Sequence, residues 1–314
     1  MADDFLTLSE LQTINGLDVK DYGISDLLNK APLIKALAAD EASNGTVHKY
    51  EKEVGAPVVG FRAPNTGRDW DTSEDEVVTV NLKVIDASFG QDKALVDEYK
   101  HGKEAYLERE SVRHLRSGYF LAEQQFIYGT GNDADGFSGM ADADTVAAFD
   151  DEMVINAGGS TANTGSSVWL IRTNGEGRDV MSIAGRSGDI EVGEAYVQML
   201  EETGTEKKYP GYVVPITGWL GLQVGSKHSM ARIINLTEDA GKGLTDELIY
   251  RAFELFPASE QPDLIVMNRR SMRQLRESRT ATNATGAPAP RPREVDGVPI
   301  IQTDSIVSTE AISA

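Results

Sequence analysis

The sequence predicts an α+β chain, and three observations carry that reading. Between residues 46 and 90 the side chains alternate with a period of two, as strands do. Residues 96–128 carry a single apolar seam at helical spacing. Beyond residue 141, short apolar runs of strand length are interleaved with two capped helices. With 314 residues, 40% hydrophobic and 25% charged, the chain has the composition of a folded soluble protein of one large or two ordinary domains.

The first 45 residues carry apolar groups only in bursts: Phe5, Leu6, Leu8, Leu11 and Ile14, then Leu27 and Leu28, then Leu33, Ile34 and Leu37. Gly16, Gly23, Pro32 and Gly45 punctuate them. No burst makes a core alone, so this segment reads as an arm that needs another surface to lie on. From residue 46, Val47, Lys49, Glu51 and Glu53 alternate with His48, Tyr50, Lys52 and Val54. Val78, Val80, Leu82 and Val84 then alternate with Val77, Thr79, Asn81, Lys83 and Ile85. A polar stretch rich in glycine and proline, 60–70, lies between them, so the pair reads as a long β-hairpin. Neither strand has a clean apolar face. The hairpin is therefore expected to project.

In the helical segment, Ala105, Val112, Leu115, Tyr119, Ala122 and Phe126 recur at spacings of 7, 3, 4, 3 and 4, and Gly129-Thr130-Gly131-Asn132 stops it. Runs at 168–171 and 180–183 read as strands around a turn at 174–177. Runs at 195–200 and 209–224 read as a second hairpin turning near 202–205. Thr245 caps a helix with Leu248, Ile249, Ala252, Leu255 and Phe256 on one side, closed by Pro257. A buried-type strand at 264–267 leads to a helix capped by Asn268 and running to about Ser278. A loop over 280–292 and a last strand at 297–301 complete the chain.

Composition removes several function classes. There is no cysteine, hence no disulfide, thiolate metal site or thiol nucleophile. Thirty basic against fifty acidic side chains leave a net charge of −20, which argues against a protein that grips phosphate backbones. The start, Met1-Ala2-Asp3-Asp4, lacks the basic region of a secretory signal, so synthesis inside the cell is expected. The longest apolar stretch, 213–224, is interrupted by Pro215, Gly218 and Gly221 and is too short to span a bilayer.

The chemical motifs fail one by one. Gly129, Gly131 and Gly136 follow a helix rather than a strand, unlike a dinucleotide loop. Gly225-Ser226-Lys227 and Gly241-Lys242-Gly243 lack the phosphate-loop frame. The oxygen-rich run 132–136 looks like a calcium loop, but counting from Asp133 puts Ser138 at position six and Asp144 at position twelve, so it reads as a turn. His48, His101, His114 and His228 have no ligand spacing, and no serine sits in a G-x-S-x-G elbow. No catalytic, cofactor or metal residue is assigned. One basic cluster stands out, in which Arg269, Arg273 and Arg276 share a helix face opposite Met272 and Leu275. It suits either nucleic acid or the carboxylates of an adjoining subunit.

These features also come in a recognisable order. Gly45-Thr46-Val47-His48-Lys49-Tyr50 leads to Gly55-Ala56-Pro57 and to Phe61-Arg62-Ala63-Pro64-Asn65-Thr66-Gly67. Tyr128-Gly129-Thr130-Gly131-Asn132 runs on to Gly136-Phe137-Ser138-Gly139-Met140. Then come Val168-Trp169-Leu170-Ile171, Glu191-Val192-Gly193-Glu194, Ala231-Arg232-Ile233-Ile234-Asn235 and finally Val295-Asp296-Gly297-Val298-Pro299-Ile300. In this order and length, the sequence resembles the tailed-bacteriophage major capsid proteins of the Hong Kong 97-type fold, and more narrowly the branch without a fused scaffold domain.

The resemblance implies an N-terminal arm at 1–45, an extended β-hairpin loop at 46–90, and a long spine helix with its following loop, of the peripheral domain, at 91–140. Residues 141–314 would hold the axial domain interleaved with the remaining peripheral-domain strands. It implies pentamers and hexamers closing into an icosahedral head shell around a double-stranded DNA genome, with little specific DNA binding by so acidic a wall. Subunit contacts are expected at Phe61, Arg62, Arg68 and Trp70 of the loop and at Arg269, Arg273 and Arg276 of the helix. A separate scaffolding protein, a portal and a cement protein are the expected partners, with synthesis in the host cytoplasm and no membrane. Residues 55–79 contain no lysine, so the lysine–asparagine cross-link of some members is not expected. The alternatives are an encapsulin-like compartment shell and, from another class, a soluble enzyme.

Overall fold

A computed structural model describes residues 30–55, 57–142, 153–173, 179–185, 190–202, 206–281 and 287–313. The chain enters the body through α1 (Pro32–Ala36), with proline in its first turn where a missing N–H costs nothing. Ala31, Leu33, Ile34 and Leu37 are fully buried, and β1 (Ala39–Glu41) then pairs in parallel with β8 (Val180–Ala184). Residues 31–41, which the sequence presents as needing a surface, find that surface on their own chain.

Strands β2 (Val47–Gly55) and β3 (Glu74–Asn81) form an antiparallel ribbon, from Val47 opposite Asn81 to Gly55 opposite Glu74. Every residue of 57–73 is exposed, as expected of a hairpin without an apolar face. Its root is fixed by polar contacts. The His48 ring lies 2.7 Å from the Gln223 carboxamide oxygen, and the Tyr50 hydroxyl donates to the Val224 carbonyl at 2.9 Å. The second alternating run does not continue as one strand. Leu82 turns inward beside Met181 and Ile183, its amide bonded to the Thr46 carbonyl, and β4 (Lys83–Asp86) departs to pair with β12 (Ile216–Val224).

After β5 (Phe89–Asp92), the Asp92 carboxylate caps the short α2 (Lys93–Asp97) by accepting from the Ala94 amide. The long helix is α3 (Lys103–Tyr128), so the expected start at 96 is corrected to 103. The break falls at Gly102, whose φ of 91° only glycine adopts freely, and Val96 is buried in α2 instead. At 26 residues α3 is about 39 Å long. Val112, Leu115, Tyr119, Ala122 and Phe126 of its seam are buried, whereas Ala105 is partly exposed.

Two larger sheets make the body. One has the order β1-β8-β12-β4, with β9 (Ile190–Val192) also on β12; the other has the order β15-β16-β14-β7-β13-β6. At the centre of the second, β7 (Ser166–Ile171) is buried along its whole length between β13 (Met230–Leu236) and β14 (Leu264–Met267). Burial on both faces explains its unbroken apolar run. β6 (Val154–Asn156), β15 (Glu294–Val295) and β16 (Val298–Gln302) complete that sheet. Strands β7 and β8 are both present as expected, in different sheets; the turn expected at 174–177 lies outside the described residues.

The run 209–224 is not one strand. Pro215 has no N–H for a ladder and divides it into β11 (Lys208–Val214) and β12. Only β11 pairs with β10 (Tyr196–Glu201), in a small sheet with β5. Of the turn expected at 202–205, residues 203–205 lie outside the described ones. Helix α4 (Asp246–Glu254) begins at Thr245, whose hydroxyl accepts from the Leu248 amide, and α5 (Arg269–Ala281) begins at Asn268, whose carboxamide accepts from the Ser271 amide. α5 extends three residues past the expected end.

Candidate assembly surfaces

The ribbon tip is the most solvent-exposed apolar feature of the described chain. Phe61 and Trp70 are completely exposed, and Val58 and Val59 nearly so. Isolated exposed apolar residues are ordinary, but four on one projecting loop make a surface that binding would cover. The two loop arginines act first within the loop. Arg68 donates to the carbonyls of Val58 and of Gly60, the latter at 3.2 Å, and Arg62 donates to the Thr66 carbonyl at 3.1 Å. Asp71 adds a brace by accepting from the Val58 amide at 2.6 Å. The guanidinium groups hold the loop in shape and leave the aromatic rings outward.

Sequence reasoning missed a second exposed face. Tyr196, Val197 and Met199 of β10 are about half exposed, and β10 is an edge strand of its sheet among the described residues. The signal was available in a run carrying apolar residues on both faces at once.

The arginines of helix α5 have partners within the chain. Arg269 pairs with Asp304 at 2.7 Å, and Arg273 pairs with Glu238 and with Glu277, the latter at 3.0 Å. Arg276 donates to the Ala289 carbonyl at 2.8 Å, and Arg279 makes two bonds to Asp246. Arg270, between them, donates to the carbonyls of Thr164, Leu236 and Ser308. The face that the sequence offers outward is tied to this chain, while Met272 and Leu275 are buried as expected. The loop residues and the helix arginines belong to separate parts of the fold, the ribbon and the body.

The glycine-rich turn after α3 is a loop shaped by its own hydrogen bonds. Gln125 donates to the carbonyls of Asp133 and Phe137 at 3.2 and 2.7 Å, and Asp142 accepts from the amides of Thr130 and Gly139 at 2.9 and 2.8 Å. Gly129, at φ 53°, lies against the Gly139 backbone. Elsewhere the polar groups buttress the body. Glu310 accepts from Tyr128, Ser167 and Arg232, and Arg172 is buried between Asp179 and Glu260. Beside this pair, burial pushes the Asp263 carboxyl up to about 6. No described helix is long and apolar enough to cross a membrane.

The family model of the major capsid protein GP7 matches residues 18–313. The chain belongs to this family. As a major capsid protein it is a structural component of a bacteriophage head shell and not an enzyme, and it assembles with copies of itself. A chain in a structure of bacteriophage Epsilon15 is similar over 88% of both chains, at 20% identity and a TM-score of 0.64. That likeness shows the tailed-phage capsid fold of the Hong Kong 97 type expected of this capsid protein. A chain in a decorated capsid of bacteriophage JBD30 aligns over 86% of this chain and 88% of that one, at 11% identity and a TM-score of 0.49. A holo-SrpI encapsulin of Synechococcus elongatus aligns over 65% and 87%, at 7% identity and a TM-score of 0.44. No curated protein matches the sequence.

Proposed function

We propose that the capsid protein forms pentamers and hexamers that close into an icosahedral shell around double-stranded DNA. The observation that carries the proposal is the ribbon: a braced loop with Phe61 and Trp70 fully outward, on a stalk of about 27 Å for eight paired residues, is covered by none of the described residues. On this reading residues 46–90 are the extended loop, and Phe61 and Trp70 pack on a neighbouring subunit with Arg62 and Arg68 as struts. Residues 1–45 act as the arm, whose last part is moored on its own body. Residues 91–140 supply the spine helix of the peripheral domain, and 141–314 the axial domain with the remaining peripheral strands. Arg269, Arg273 and Arg276 contribute to subunit contacts through the segments they brace. The net charge of −20 suits a wall past which DNA slides without sticking. A scaffolding protein, a portal and a cement protein complete the particle, and the chain is made in the host cytoplasm.

Size-exclusion chromatography followed by negative-stain microscopy tests this reading. Closed particles or five- and six-membered rings are the expected result, alone or with scaffold added. A chain that stays monomeric in both conditions would refute it.

A further inference from the structure

The side chain that shell assembly leaves unexplained is Glu123. It lies on α3 with no exposed surface. Asp179 is equally buried and has Arg172 beside it. Glu123 is held by neutral donors instead. Its Oε2 accepts from the backbone amides of Leu33 at 2.8 Å and Ile34 at 3.4 Å, at the start of α1. Its Oε1 accepts from the Thr303 hydroxyl, which in turn accepts from the Ser305 amide at 3.0 Å. One carboxyl therefore joins three segments distant in sequence: residues 31–37, α3, and the stretch after β16.

A buried carboxylate with no cation bonded to it among the described residues is costly to keep ionised. Burial raises its pKa above the ordinary value, while the Thr303 hydroxyl and the two amides pull it down without prevailing. The geometry accepts both states. Ionised, both oxygens accept. Protonated at Oε1, the carboxyl donates to Thr303, whose hydroxyl reverses and keeps its bond from Ser305, and Oε2 retains the two amides. Thr303, beside it, lines a cleft of about 360 Å³ whose charged wall residues are Lys30, Arg116 and Asp304. Asp304 is engaged by Arg269, Lys35 of α1 is exposed, and Tyr119 of α3 is buried.

We propose that Glu123 is a proton-operated latch that moors residues 31–37 to α3 and to the end of β16. The docked state holds the proton more tightly than the undocked state, because the folded pKa is raised. Its stabilising contribution is complete below the unfolded-state pKa and is lost as pH rises through the folded one. The charge is then left in an apolar site, and release of α1 admits water to it. The attachment of the first described segment to the body thereby responds to pH.

Hydrogen–deuterium exchange on the full-length protein, from about pH 4, below the ordinary glutamate pKa, to about pH 9 and corrected for the intrinsic pH dependence of exchange, tests the latch. Protection of residues 31–37 is expected to fall about tenfold for each unit by which the pKa is raised. Glu123→Gln places its carbonyl at the two amides and its NH₂ at Thr303, as the protonated acid does, so its protection should be high and flat with pH. A flat profile in the wild type, or an equal slope in Glu123→Gln, overturns the proposal. Should that variant fail to fold, Thr303→Val decides. Loss of a hydroxyl that favours the charge must move the midpoint to higher pH, and an unmoved midpoint overturns it equally.

Discussion

Single residues fix the local shape of this protein through backbone geometry and buried contacts. Gly129 ends α3 at φ 53° and ψ −129°, a conformation open almost only to glycine, and packs against the Gly139 backbone and the Asp142 carboxylate. Gly129→Ala is expected to destabilise the unassembled protein by about 2 kcal/mol or more, a drop of several degrees in melting temperature. Gly131→Ala, where an added Cβ meets nothing within 4 Å, is the control and should melt close to the wild type. Equal melting of both variants would show that the turn does not hold the helix end. The helix stop is legible in the sequence as Gly129-Thr130-Gly131-Asn132; the role of Asp142 is not, because it depends on a loop returning to the turn from twelve residues away.

Among the elements, the ribbon and helix α5 show opposite fates for residues that look alike in sequence. Both carry arginines beside apolar groups. On the ribbon the apolar groups stay outside, with none of the described residues packed over 57–73, whereas on α5 the arginines find Glu238, Glu277, Asp304 and Asp246 nearby. Exposed aromatic anchors carry much of an interface's energy, commonly about 2 kcal/mol or more each. Phe61→Ala with Trp70→Ala should therefore raise the protein concentration needed for assembly at least tenfold, as read by light scattering. The melting temperature of the unassembled chain should not move, since neither ring touches the body. Unchanged assembly would take the tip out of the interface.

At the scale of the whole molecule, charge and coverage set how copies meet. Subunits of net charge −20 repel one another, and salt screens that repulsion over roughly 8–10 Å at moderate ionic strength. Assembly of purified subunits is thus expected to quicken as sodium chloride is raised from about 50 to about 500 mM. Slower assembly at high salt would instead mean that attractive ion pairs between subunits govern the encounter.

Local chemistry and periodicity are legible in the amino-acid order alone. They include the absence of thiol chemistry, the α+β class, the projecting hairpin, the seam and stop of the long helix, the caps at Thr245 and Asn268, and a motif order that resembles the family. Apart from the class and the motif order, each rests on composition or on residues within a few turns of chain. Tertiary structure was needed to decide which sheets the strands join, that Pro215 sends one apolar run into two of them, and that residues 31–41 lie on their own chain. It also decided that the arginines of α5 find carboxylate and carbonyl partners in their own chain, and that Glu123 meets Leu33 and Thr303. Those contacts join positions 90 and 180 residues apart. Periodicity tells which face of an element is apolar, but the partner of a polar side chain is set by what the folded chain brings beside it.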